Sequence, residues 1–84
     1  MIMEEVAGQV VLCLSGREKG RFLAVVGYER GYALLSDGKE RPIEKPKRKN
    51  PLHFTKTVRV LSVDELSTNR QLRKALSSFN NPGV

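Results

Sequence analysis

The amino-acid sequence predicts a mainly β fold, a small barrel of four or five short strands completed by a C-terminal amphipathic helix. Three observations lead there. Two valine-rich apolar runs, residues 9–14 (QVVLCL) and 22–28 (FLAVVGY), flank a short glycine-bounded stretch, as two strands buried on at least one side and joined by a turn would. Residues 55–63 (TKTVRVLSV) alternate in a strand-like way. Near the end, Leu72, Ala75, Leu76 and Phe79 recur at i, i+3, i+4 and i+7, the apolar stripe of a helix.

Each element carries local signals. In residues 28–32 (YERGY) a glycine sits in a polar dip and reads as a hairpin turn into a third short strand, residues 32–35. Asp37-Gly38 supplies the left-handed backbone of the next tight turn. Short strands joined by short turns favour closure into a barrel over an open sheet, because closure removes exposed edges. Thr68 followed by Gln71 is a capping box at the start of the helix, and Asn80-Asn81-Pro82-Gly83 stops it. Ser62 and Glu65 form a weaker capping signal for a single preceding turn. The helical stripe is read as a lid on the barrel, with a partner-binding face as the alternative. Arg70, Arg73 and Lys74 lie on its other side, a solvated face that extends any basic surface it adjoins.

With 84 residues the chain is long enough for one small domain, which buries roughly 60 to 65% of the surface its unfolded chain exposes. The expected organisation is one domain over residues 1–84, with the barrel at about 6–63 and the helical segment at about 64–79. The composition, 39% hydrophobic and 29% charged, is that of a folded soluble chain. The longest apolar run, residues 10–14, is far short of the ~20 residues of a spanning helix. Met1-Ile2-Met3-Glu4-Glu5 is acidic where a secretory signal would be basic. These points predict an intracellular, cytoplasmic protein without a membrane partner.

The net charge of +6 is unevenly spread. Residues 1–38 hold four Lys/Arg against five Asp/Glu, residues 39–59 eight against two, and residues 60–84 three against two. The imbalance therefore lies in one central stretch. Charge needed only for solubility gains nothing from such concentration, whereas a polyanion rewards it through Coulomb attraction and counterion release. Nucleic acid is the expected partner. Within the stretch, Pro42, Pro46 and Pro51 deny the segment a helix and hold it extended, so that Lys45, Lys47, Arg48 and Lys49 follow a phosphate backbone. Leu52 and Phe54 pin its far end.

Catalysis is not expected. One histidine, one cysteine, no carboxylate pair beside either, no P-loop and no dinucleotide fingerprint leave no group to activate a nucleophile, hold a metal or bind a cofactor. Cys13 lies in an apolar run and reads as a small buried hydrophobe. His53, beside the basic stretch, reads as an outward-facing side chain or an RNA contact by stacking or by a phosphate hydrogen bond. Tyr28 and Tyr32 flank the Glu29-Arg30-Gly31 turn and read first as rim packing, second as stacking groups. So few aromatic residues suit shape and phosphate recognition of folded RNA better than a single-strand platform.

The turn between the first two runs adds a resemblance. The segment GQVVLCLSGREKGRFLAVVGY resembles the KOW motif, a hydrophobic strand, a glycine-and-basic loop and a second hydrophobic strand, with Gly8, Gly16, Lys19 and Gly20 at its shape-giving positions and Arg17 and Arg21 at its basic ones. The basic stretch ending in Asn50, Leu52, His53 and Phe54, and the capped segment TNRQLRKAL, are similar to those of the fourteen-e family of large-subunit ribosomal proteins. The matches run over about residues 6–79; the long basic extensions of eukaryotic members are absent, and residues 42–51 carry three prolines where some members have none. The resemblance implies an SH3-like barrel binding structured ribosomal RNA, as a ribosomal constituent or as a ribosome-associated protein of bacterial type. The contacts implied are Arg17, Lys19, Gly20, Arg21, Lys39, Arg41, Lys45, Lys47, Arg48, Lys49, Asn50 and His53, with glycine-flanked amides approaching phosphates. A monomer is expected when free. Two other readings stay open: a transcription-associated KOW module, and a protein-interaction module.

Overall fold

In a computed structural model, residues 7–80 are described. The acidic start, Val6 where the barrel was expected to begin, and Asn81, Pro82 and Gly83 of the expected helix stop lie outside them. The chain forms five strands, β1 (Gln9–Cys13), β2 (Phe22–Glu29), β3 (Tyr32–Ser36), β4 (Lys47–Lys49) and β5 (Phe54–Val60), followed by one helix, α1 (Asn69–Asn80). Single 3-10 turns, Pro51–His53 and Asp64–Leu66, precede β5 and α1 respectively. All strand pairs are antiparallel, in the order β4-β3-β2-β1-β5. The expected mainly β domain with a C-terminal helix is therefore what forms, in an SH3-like arrangement.

The expected closure does not occur: β4 and β5 remain the two edges of the sheet. Pro46 and Pro51 flank β4 and lack the N–H that would extend its ladder, which limits it to three residues. Both edges carry charge, Lys47, Arg48 and Lys49 on one and Lys56 and Arg59 on the other, the usual protection of an open edge.

The apolar runs are continuous because β1 and β2 are buried on both faces. Val11, Cys13, Leu23, Val25, Ala33, Leu35 and Phe54 fill the inside of the curled sheet. Val10 and Ala24, one residue out of phase, face outward and meet Leu72 and Leu76 of α1, with Leu61. The helix is thus a lid, as its stripe predicts, with Ala75 and Phe79 partly buried in the same cluster. Phe79 meets Phe22 at 5.3 Å between ring centroids. At the same end Asn80 behaves as a short strand: its Oδ1 accepts from Phe22 N (2.8 Å) and its Nδ2 donates to Phe22 O (3.0 Å).

Both capping signals form. Thr68 Oγ1 accepts from Gln71 N (3.1 Å) before α1. At the weaker signal the box is reciprocal, with Glu65 Oε1 accepting from Ser62 N (2.8 Å) and Ser62 Oγ accepting from Glu65 N (3.2 Å). That turn bends the chain away after β5, which ends at Val60 although alternation continued to Val63.

Cys13 is buried, as expected, and burial pushes its thiol above the ordinary value against the pull of Lys49. It is expected to stay silent to a disulfide-exchange reagent in the native protein and to react fully once the chain is unfolded in urea. Rapid labelling without denaturant would contradict the buried placement.

Candidate nucleic-acid interface

The loop of residues 15–21 folds back because Gly16 and Gly20 both take positive φ, 80° and 85°. Its amides are used internally: Lys19 N donates to Gly16 O, Gly20 N to Cys13 O and Arg21 N to Glu18 O. This corrects the expected role of Gly20. Its N–H closes the loop and is not available to a phosphate. Arg17 and Lys19 point into solvent, whereas Glu18 between them turns inward.

Glu18 organises the surrounding cations. Its Oε2 accepts from Arg41 Nε (2.8 Å) and lies 2.7 Å from Arg41 Nη2, and its Oε1 lies 3.8 Å from Lys49 Nζ. Burial alone would raise the Glu18 carboxyl; the Arg41 hydrogen bond and charge, with Lys49, outweigh it and hold the group below its ordinary range. Lys49 is only 6% exposed, and its Nζ also donates to Ser15 O (3.1 Å). Lys49, expected as an RNA contact, is therefore occupied inside the protein, and Arg41, another, is held by Glu18 at the edge of a groove with part of its side chain exposed. The register explains Lys49: it pairs with Ala33, and paired residues point to one face, which here is the core face.

The rest of the basic stretch is no free arm. Asp37 Oδ1 accepts from Lys39 N and Arg41 N (2.9 Å each), and Ser36 Oγ donates to Arg41 O, which ties residues 36–41 into a tight turn. Asn69 Oδ1 accepts from Ile43 N (2.8 Å) and fastens the segment to the start of α1. Lys45 is exposed, Lys47 partly buried and Arg48 exposed on β4. Asn50, another expected contact, uses its Oδ1 to cap the 3-10 turn at Leu52 N (2.9 Å). Leu52 is 83% exposed and pins nothing; Phe54, 7% exposed and paired with Cys13, is the anchor. His53 is exposed, and its carbonyl accepts from Leu14 N (2.8 Å).

Two adjoining grooves open among these cations. One, of about 310 Å³, is lined by Arg17, Arg21 and Arg41 but also by Glu18, Asp37 and Glu40, and so is balanced in charge. The other, of about 430 Å³, gathers Arg21, Lys39 and Arg73 from the 15–21 loop, the 36–41 turn and α1, against Asp37 alone. Arg21 sits 3.7 Å from Asp37 and borders both. Arg73 extends a basic surface only where it adjoins one, and the close packing of Gly38 on α1 brings it beside Arg21 and Lys39.

Among the described residues no group of three or more His, Cys, Asp or Glu is placed to hold a metal, and no helix is long and apolar enough to cross a membrane. Fold and surface together define a small antiparallel β domain with a helical lid and a cationic groove beside it. No family model and no curated protein matches the chain.

Proposed function

We propose that this chain is a non-catalytic RNA-binding protein that associates with the large ribosomal subunit in the cytoplasm, binding folded ribosomal RNA as a monomer and supporting subunit structure or translation. The observation that carries the reading is the groove where Arg21, Lys39 and Arg73 converge from three separate segments. Their sequence separation means that only the fold brings them together, and one acidic neighbour leaves them net positive. Arginine there would grip phosphate as a two-pronged donor, Arg17 lines the adjoining groove, and Lys19 and Lys45 are further exposed cations. The KOW-like segment and the basic stretch described above point the same way.

With Arg17, Lys19, Lys39, Lys45 and Arg73 as phosphate contacts, RNA affinity is expected to fall roughly 100- to 500-fold between about 50 and 200 mM salt. The test is co-sedimentation of the tagged protein with large subunits at both salts, beside a variant with alanine at Arg17, Lys19, Lys39 and Arg73. All four side chains are exposed, so the variant should fold. Salt-sensitive co-migration of the parent and its loss in the variant support the reading. Binding to duplex DNA as tight as to RNA would favour a transcription-associated role, and partner capture insensitive to salt a protein-interaction module; either result would overturn it.

A further inference from the structure

The outer face of β3 is covered by α1 only in part: Ala24, opposite Ser36, packs under the helix, while Leu34 and Tyr32 lie farther along the strand. On that stretch Tyr32 is 38% exposed, and the exposed Arg48, paired with Leu34, holds its guanidinium 5.0 Å from the Tyr32 ring centroid. An arginine set against a tyrosine ring is a preoriented flat cation with a second face for stacking. On the other side of Leu34 stands Gly27, which adds no side chain to the patch.

Two residue choices here are not demanded by the fold. A Cβ built on Gly27 would make only an ordinary contact, 3.5 Å from Leu34 Cδ1. The two-residue turn joining β2 to β3, Arg30-Gly31, has positive φ at both positions, 50° and 85°. Such a turn prefers Asn, Asp or Gly first, because a long side chain is strained in the left-handed region. Here that position holds an arginine with no ion-pair partner among the described residues. Arg48 likewise has none among them.

We propose that Tyr32 and Arg48, with Arg30 at the adjoining hairpin tip, form a second nucleotide site that takes one unpaired base stacked on the Arg48 guanidinium, its phosphate held by Arg30. The inference rests on the RNA-binding reading and deepens it, from phosphate contact alone to recognition of a bulged or flipped-out base in folded RNA. Glu29, opposite Tyr32, offsets one charge and leaves the patch positive. A second copy of the chain would bring the same arginines face to face, so charge complementarity favours the nucleotide. The tip lies at the end of β2 opposite the 15–21 loop, which makes the two contacts separable by mutation.

The test uses the full chain and two RNA hairpins, one fully paired and one with a single bulged 2-aminopurine. The parent is expected to bind the bulged hairpin tighter by on the order of 10-fold and to quench the 2-aminopurine fluorescence. Arg48→Thr is expected to abolish preference and quenching while still binding the paired hairpin. Arg30→Asn is expected to raise the melting temperature by roughly 2 to 5 °C yet weaken binding and lower the salt slope by about one. Alanine at Arg17 and Lys19 is expected to weaken both hairpins alike. Equal binding of the two hairpins by the parent, or preference retained in Arg48→Thr, overturns the stacking site and leaves the RNA reading intact. Failure of the parent to bind either hairpin at any salt overturns both.

Discussion

Replacing Gly38 by alanine is expected to destabilise the protein by about 2 to 5 kcal/mol, the sum of a left-handed backbone position and a forced displacement of packed structure. Gly38 has φ 78°, so any side chain there is strained. The larger effect comes from where its Cβ would point, into the backbone of α1 at Asn69 O and Arg73 N. Backbone at a helix start cannot turn aside as a side chain can. Asn69 is fixed further by its hydrogen bonds to Ile43 N and to the Glu44 carboxylate. Gly20 is the control. Its φ of 85° carries the same conformational strain, yet nothing lies within 4 Å of a Cβ placed there, so Gly20→Ala is expected to cost only about 1 kcal/mol. Urea unfolding of the two variants separates strain from clash, and equal losses would show that α1 yields to the turn. Because Gly38 brings Arg73 beside Lys39, the proposed RNA binding should also weaken in this variant under conditions where it remains folded.

The strands and helix were legible wherever burial has a period. Leu72 and Leu76 are buried at helical spacing, and the two valine runs are unbroken because inner and outer clusters take alternate residues from each strand. β4 was not legible, because Lys47, Arg48 and Lys49 contain no apolar residue and become a strand only by pairing with β3. In sequence, Lys45 and Lys49 look alike; Lys45 lies exposed in the turn before β4, whereas pairing with Ala33 sends Lys49 to Glu18. Asn80 read as a helix stop, and its pairing with Phe22 spans 58 positions that no local signal bridges. The outward placement of Arg17 and Lys19 was legible from the glycines that bend their loop, whereas the convergence of Lys39 with Arg73 required the tertiary fold. Glu18 carried one clue, as a lone acid among Arg17, Lys19 and Arg21.

That acid supports the second large prediction. Glu18→Gln is expected to destabilise the protein by about 3 kcal/mol, because removing one partner of a buried ion pair leaves the other charge uncompensated. Arg41, with 29% of its side chain exposed, can turn to water; Lys49, at 6%, cannot. Hence the double variant Glu18→Gln/Lys49→Met should be more stable than Glu18→Gln alone, and a double variant no better than the sum of the singles would show that the two groups are not coupled. The same pair sets an acid limit. A carboxyl held below its ordinary value in the folded state contributes stability that is present above the unfolded value, near 4.5, and is lost as pH falls through the lower folded value. The parent should therefore lose stability as pH drops below about 4.5, and Glu18→Gln, which has no proton to take up there, should show a shallower fall. The slope will not vanish, because Glu44 and Glu65 are also held below their ordinary values by hydrogen bonds, from Asn69 and around Ser62 respectively. If the two acid profiles run parallel, the inward carboxylate is not what joins the loop to the turn.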